Sequence, residues 1–172
     1  VAPQDINQSE TVNALYFEDS QKLFDDRLVI RGGVRRTFGK TSLEKTPNLS
    51  ALRPRSQNYR QTTYSFGSTF KATQALTLRA GISTGFRAPT ATELAADFVT
   101  LGGGRIFGNP GIKPESSRQF EVGAAYAARD WQIDLALFQN TIRDRIISRL
   151  RPGVANTSDY INNSGDILIR GI

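Results

Sequence analysis

The stretch LTLRAGIS, residues 76–83, alternates between apolar and polar or small side chains at every position. Leu76, Leu78, Ala80 and Ile82 fall on one side of an extended chain, and the residues between them fall on the other side. A period of two residues is typical of a β-strand with one apolar face, because successive side chains point to opposite faces. This segment therefore predicts an all-β fold.

The same alternation recurs along the chain and predicts three hairpins followed by a last strand. The paired segments are 11–19 with 27–36, 61–72 with 76–85, and 120–126 with 131–137, and the last strand covers 166–172. Tyr64, Phe66 and Phe70 share one face in the second hairpin, as Leu28, Ile30 and Val34 do in the first. The pattern leaves the facing of the first strand open. The sequence thus predicts about seven antiparallel strands.

The predicted connections alternate between short and long. Short ones cover residues 20–26, 73–75 and 127–130, and long ones cover 37–60, 86–116 and 148–158. Outer-membrane barrels have short turns on the inner side and long loops outside, and a tilted strand crosses the membrane in about 9–11 residues. We therefore expect a transmembrane β-barrel, with Tyr126 and Trp131 at its inner interface. An odd strand count indicates part of a larger barrel.

Composition excludes several other classes of protein. The 172 residues include 38% hydrophobic and 22% charged residues, and no run approaches the roughly 20 apolar residues of a membrane helix. The net charge of +6 comes from scattered arginines, which does not favour nucleic acid as a partner. The chain has no cysteine and no histidine. We expect no catalytic residue, no bound metal and no cofactor. Two alternatives to the barrel remain, a soluble β-rich module that binds polyanions and a β-sandwich enzyme.

The most specific segment joins two predicted strands. It reads GFRAPT at 85–90, EL at 93–94 and GNPGIKPES at 108–116, before Glu121 and Gly123 in the next strand. These phrases, in this order, resemble the barrel region of TonB-dependent outer-membrane receptors, in which a partly helical outer loop follows the first phrase. The residues that carry the resemblance are Gly85, Phe86, Arg87, Ala88, Pro89, Glu93, Leu94, Asn109, Pro110, Lys113, Pro114, Glu115, Glu121 and Gly123.

Two flanking regions extend the resemblance. Residues 138–146, with Asp144, are similar to a family strand ending near D-x-I, and Tyr160 and Asn162 are similar to a following Y-x-N phrase. The resemblance implies that residues 1–172 form part of an antiparallel transmembrane barrel of about 22 strands in the bacterial outer membrane, in contact with its lipid. It also implies a separate plug domain, not present in this chain, that contacts the TonB complex.

The resemblance implies uptake of a scarce, bulky nutrient rather than catalysis. A ferric siderophore is the expected ligand, and haem or cobalamin is the alternative within the family. The FRAP phrase followed by Asn109-Pro110 is similar to haem receptors, which carry a histidine nearby, but this chain has none. The iron chelate would then be cargo and not a cofactor.

Five residues in the long connections are candidate ligand contacts, because cationic and aromatic side chains suit anionic iron chelates. They are Arg87, Arg105, Phe107, Arg149 and Arg151. Glu93 and Glu115 are expected to pair with Arg87 or Lys113 at the rim of the barrel. Arg79 and Glu121 are expected to form salt bridges inside the lumen, since a charge facing lipid at the membrane centre costs about 2–4 kcal/mol for arginine.

Overall fold

A computed structural model describes residues 7–45 and 55–172, and it is almost entirely β-structure. Seven strands form the main sheet, of which the last is the shortest, with five residues. They are β1 (Gln8–Leu23), β2 (Leu28–Leu43), β3 (Arg55–Lys71), β4 (Leu76–Arg87), β7 (Glu115–Ala128), β8 (Trp131–Arg143) and β11 (Ile167–Gly171). The remaining elements are α1 (Ala91–Ala95), β5 (Asp97–Val99), β6 (Arg105–Phe107), β9 (Ile146–Leu150) and β10 (Thr157–Asn162).

The main sheet is antiparallel throughout, in the order β1-β2-β3-β4-β7-β8-β11. All three predicted hairpins and the last strand are present, so the seven-strand prediction is confirmed. Inner turns are short: only Arg129 and Asp130 separate β7 from β8. Tyr126 and Trp131 flank that turn and are exposed, as expected of interface aromatics.

Register separates the side chains of the main sheet into two faces, which differ in charge over the part of the strands nearer the inner turns. The face that carries Arg31, Arg79 and Glu121 is called the inward face, and the opposite one the outward face. In β1, Phe17 pairs with Val34 and therefore lies on the outward face, whereas Tyr16 pairs with Arg35 and lies inward. Pairing thus resolves the facing that alternation left open. Large apolar side chains stay exposed on the outward face, Phe17 at 68% for example, as a lipid-facing surface requires.

The second and third strands are longer than the sequence pattern indicated. The predicted connection at residues 37–60 is wrong at both ends, because the β2–β3 ladder continues from Phe38–Arg60 to Leu43–Arg55. Residues 46–54, in the middle of that connection, lie outside the described residues. At 16 and 17 residues, β2 and β3 exceed the membrane-crossing length of about 9–11 residues and extend beyond the membrane.

The two other long connections contain structure of their own. Residues 88–114, here called the helical loop, hold α1, β5 and β6; residues 144–166, the hairpin loop, hold β9 and β10. The predicted connection at 148–158 is therefore too short, because the chain leaves the main sheet after Arg143 and returns to it at Ile167. These four strands make an outer sheet in the order β5-β6-β10-β9, in which β10 runs parallel to β6 and joins the two loops.

The break between β8 and β9 falls where the D-x-I phrase was expected. β8 ends at Arg143, and Asp144 adopts a left-handed conformation with φ of 54°. Aspartate tolerates this region better than most residues, which suits it to a position where the chain must leave the ladder abruptly. Within the described residues, no helix has the length and apolar character needed to span a membrane.

Candidate functional site

A single helical turn organises the start of the helical loop. Thr90 caps α1, and its Oγ1 accepts a hydrogen bond from the Glu93 amide at 3.3 Å. The Thr90 amide in turn donates to Glu93 Oε2 at 2.8 Å. This reciprocal capping box follows from the T-x-x-E spacing in the sequence. It fixes the carboxylate of Glu93 beside the end of β4.

Arg87, the last residue of β4, lies between two carboxylates. Its guanidinium donates in a bidentate manner to Glu93, at 3.0 and 2.9 Å, and to Glu115, at 3.0 and 2.8 Å. Glu115 Oε1 also accepts from the Ile146 amide at 2.7 Å. The Arg87 guanidinium, together with that amide, lowers the pKa of the Glu115 carboxyl. The expected pairing of both glutamates with Arg87 is confirmed, and it connects the two loops to the rim.

Asn162 makes a second connection between the loops. Its Nδ2 donates to the carbonyls of Lys113 at 2.9 Å and Asp144 at 2.7 Å. Its Oδ1 accepts from the Lys113 amide at 2.7 Å. One side-chain amide therefore satisfies three backbone groups, which explains physically why an asparagine stands in the Y-x-N phrase opposite the KPE phrase.

A small apolar core lies beneath these connections. Its buried members come from β2, α1, the end of the helical loop and β9, and Ala95 and Tyr160 pack against it. They are Leu43, Ala91, Leu94, Ile112 and Ile146. Ala91 and Ile112 are the most deeply buried, each at 2% exposure. Because the core draws on the outer end of β2 and on both loops, these three parts of the chain pack as one unit.

The outer sheet has one face rich in charge. Pairing aligns Asp97 with Phe107, Phe107 with Asp159, and Asp159 with Arg149, so that these four residues cross the sheet in one row. Arg105 lies two residues before Phe107 on the same strand and hence on the same face. The opposite face carries Tyr160, which contacts the apolar core. The charged face therefore points away from that core.

Two arginines stack on one aromatic ring at the centre of the charged face. The guanidinium carbons of Arg105 and Arg151 each lie 4.8 Å from the ring centroid of Phe107. Asp97 pairs with Arg105 at 2.7 Å, and Asp159 pairs with Arg151 at 2.5 Å. The Arg151 guanidinium lowers the pKa of the Asp159 carboxyl. We call these five residues the arginine–phenylalanine platform.

The platform is suited to binding an anion with aromatic groups. The carboxylates orient the guanidiniums, and the side chains of Arg105 and Arg151 remain 51% and 41% exposed. Flat, weakly hydrated guanidinium groups bind carboxylate, catecholate or phosphate oxygens and stack on aromatic faces. Arg149 lies in the same row and adds a further exposed cation. No cluster of metal-ligating side chains occurs in the part of the chain that the structure describes.

Comparison with known proteins places this architecture in a family. The family model described as TonB dependent receptor-like, beta-barrel matches residues 2–172. The chain belongs to this family of outer-membrane receptors. The inward face of the main sheet is accordingly the lumen face of a receptor barrel, and its outward face contacts membrane lipid.

Curated relatives of the receptor match over shorter stretches. The iron-regulated outer membrane virulence protein of Vibrio cholerae is 40% identical over 72 residues, or 41% of this chain and 11% of that protein. The ferric enterobactin receptor of Pseudomonas aeruginosa is 29% identical over 103 residues, covering 52% of this chain and 14% of that protein. The chain thus spans only a small part of the length of these relatives.

Solved structures share the fold at low sequence identity. A double mutant of the Serratia marcescens hemophore receptor HasR, in complex with its hemophore HasA and heme, superimposes with a TM-score of 0.76 at 18% identity. That match covers 94% of this chain and 31% of the other. The siderophore receptor PirA from Pseudomonas aeruginosa gives a TM-score of 0.63 at 16% identity, covering 96% and 39%.

The predicted lumen charges lie together on the receptor's inward face. Arg79 donates to both carboxylate oxygens of Asp134, at 2.8 and 2.5 Å, and lies 3.6 Å from Glu121. A side chain at Gly123 would meet the Arg79 guanidinium, since a Cβ there would be 2.8 Å from its Nε. In the E-x-G phrase, Glu121 therefore pairs with Arg79, and Gly123 leaves space for the Arg79 side chain.

The five candidate ligand contacts separate into two groups. Arg105, Phe107, Arg149 and Arg151 share the charged face of the outer sheet. Arg87 lies apart from them, and the two glutamates that it joins occupy its guanidinium. The geometry therefore gives Arg87 a structural role and does not support its prediction as a ligand contact.

Sequence reasoning missed the two aspartates of the platform. Asp97 lies eight residues before Arg105, and Asp159 eight residues after Arg151. Each pair brackets a turn that contains glycine, at Gly103 and Gly153, both of which have positive φ. An acid and a base eight residues apart, with a glycine between them, are the signal that could have indicated two short hairpins.

Proposed function

We propose that the receptor imports a ferric siderophore across the outer membrane, and that the platform captures this ligand. Energy would come from the TonB complex through the plug domain of the full-length receptor. Family membership and the names of relatives such as the ferric enterobactin receptor support this function. Membership also argues against the two soluble alternatives, the polyanion-binding module and the β-sandwich enzyme.

The stacking of Arg105 and Arg151 on Phe107 is the observation that carries the choice of ligand. Iron chelates built on catecholate groups combine negative charge with flat aromatic rings, and the platform offers a partner for each. A haem ligand has less support, because the chain has no histidine to bind its iron. Cobalamin has less support because it lacks the negative charge that three arginines favour.

The proposal can be tested by binding of ferric enterobactin, an anionic catecholate chelate, to the full-length receptor in detergent. Arg151→Gln is expected to weaken binding about tenfold, since a hydrogen bond to a charged group contributes about 1.5–3 kcal/mol. The double substitution Arg105→Gln with Arg151→Gln should weaken it further. Quenching of intrinsic fluorescence on titration with the chelate measures both affinities.

A matched control uses another exposed arginine. Arg129→Gln makes the same chemical change at the inner turn, far from the platform, and should leave the affinity unchanged. Equal binding by wild type and by the double variant would refute the platform as the capture site. Tight binding of haem or cobalamin, without binding of any ferric siderophore, would overturn the proposed ligand class.

A further inference from the structure

The outward face of the main sheet carries basic side chains towards its outer end. They are Arg36, Lys40, Arg60, Arg118, Arg143 and Arg170, and all are exposed. Contacts within single strands confirm their facing. The Arg118 guanidinium lies 5.2 Å from the ring of Phe120, and that of Arg36 lies 5.8 Å from Phe38. We call these six residues the cationic band.

The band lies at one level relative to the inner turns. Arg36 and Lys40 are eight and twelve residues from Leu28, where β2 begins. Arg60 is eleven residues from the inner end of β3, and Arg118 is ten residues from that of β7. Since about 9–11 residues of a tilted strand cross the membrane, these cations lie at its outer boundary.

Arg143 and Arg170 lie at a similar level on the adjacent strands. Arg143 is twelve residues from Trp131, where β8 begins, and Arg170 pairs with Gln139, eight residues from Trp131. Below this level the outward side chains are mainly apolar, as Phe66, Val122 and Leu135 illustrate. The band therefore forms an upper border to the lipid-facing surface.

Most cations of the band have no acidic partner among the described residues. Arg143 pairs with Asp166 at 3.1 Å. Arg36 donates to the Thr62 hydroxyl, and Arg170 donates to Gln139 Oε1 at 2.9 Å. Lys40, Arg60 and Arg118 make no hydrogen bond or ion pair that the described part of the chain supplies.

Acidic side chains on the same face do not balance the band. Within the described strands, Asp19 is the residue that places a carboxylate on the outward face. It lies four residues from the inner end of β1, far from the band. Glu44 follows the end of β2 and accepts from the Ser9 hydroxyl at 3.0 Å. The outer boundary of this face therefore carries an excess of positive charge.

We propose that the cationic band binds the phosphate groups of lipid headgroups in the outer leaflet. Guanidinium and ammonium groups bind phosphate by charge-assisted hydrogen bonds, and each basic residue near an anionic membrane surface adds to the attraction. An amphiphile fits the surface better than a free anion, because the apolar outward face directly below the band accommodates acyl chains. This inference rests on the placement of the sheet in the membrane and does not depend on the ligand proposed above.

The test measures binding of lipid A to the full-length receptor in detergent micelles. Lipid A with both phosphates is compared with its dephosphorylated form, and native mass spectrometry measures the lipid-bound fraction. The triple variant K40Q/R60Q/R118Q removes the three cations without polar partners. Its affinity should fall on the order of a hundredfold, since each such residue contributes about a factor of five. Wild type should prefer the phosphorylated form.

Two controls each remove one positive charge at a location outside the band. Arg35→Gln alters the residue next to Arg36 on the lumen face, and Arg129→Gln alters an inner turn; both should bind like wild type. The charge-preserving K40R/R60K/R118K variant should keep its affinity, which separates loss of charge from loss of folding. Unchanged binding by the triple variant, equal loss in the controls, or no preference for phosphorylated lipid would each overturn the proposal.

Discussion

Replacing Gly108 with alanine is expected to separate the segment around residue 108 from the C-terminal end of α1. A Cβ at this position would lie 2.3 Å from the backbone nitrogens of Ala95 and Ala96. The neighbouring atoms belong to the backbone and cannot move aside as a flexible side chain would. We expect the free energy of local opening to fall by about 3 kcal/mol, at the upper end of the usual overpacking range.

Hydrogen exchange at two amides measures this opening. The Ala96 amide donates to Thr92, and the Gly108 amide donates to Ala96 at 2.6 Å. In the alanine variant, the protection of the Ala96 amide should fall roughly a hundredfold, because each 1.4 kcal/mol is a factor of ten. Gly102→Ala is the matched control, since nothing lies within 4 Å of its added Cβ. Comparable protection in both variants would contradict the close approach at Gly108.

The second large effect is expected from Arg87→Met. The substitution keeps an unbranched apolar stem but leaves Glu93 and Glu115, with side chains 14% and 16% exposed, facing each other without a cation. Breaking a buried pair costs about 3–5 kcal/mol, and the partial exposure of Arg87 reduces our expectation to about 2 kcal/mol. Protection of the Ile146 amide, which donates to Glu115, should fall roughly thirtyfold.

The pH dependence of this effect has a definite sign. Arg87 lowers the pKa of Glu115 in the folded receptor, so the stabilisation is complete above the unfolded pKa of about 4.3 and is lost as the pH falls through the folded value. The difference in Ile146 protection between wild type and Arg87→Met should therefore begin to shrink as the pH falls below about 4.3, and it should vanish below the lowered pKa of Glu115 in the folded receptor. Arg143→Met removes a cation from a pair that is about half exposed and should change protection little. A large loss in that variant, or a difference between wild type and Arg87→Met that persists in acid, would refute the role of Arg87 in holding Glu93 and Glu115 together.

Alternation in the sequence predicted the main sheet because lipid and lumen impose opposite chemistry on successive residues. Where strands leave the membrane, that constraint disappears. The ladder from Phe38 to Leu43 pairs residues such as Lys40 with Asn58, and polar residues stand on both faces. The strand ends were therefore predicted too short, and the connection between them too long.

The outer sheet could not be predicted from local pattern. β5 and β6 have three residues each, which is too short for periodicity to be visible. The parallel pairing of Arg105 with Thr157 joins residues about fifty positions apart. Residue type alone nevertheless indicated Arg105, Phe107 and Arg151, since cationic and aromatic side chains in outer loops were the criterion. Their convergence on one ring depends on long-range pairing that no single segment encodes.

The parallel ladder between β6 and β10 also bears on how such receptors can diversify. A loop that folds independently can be exchanged for another by a single recombination event. Here one strand of the helical loop is completed by a strand of the hairpin loop, and Asn162 joins the same two loops through its hydrogen bonds to Lys113. A transplanted helical loop would arrive without its partner strand. New ligand specificity in this barrel should therefore be inherited, or engineered, by moving residues 88–166 as one cassette with its two membrane strands.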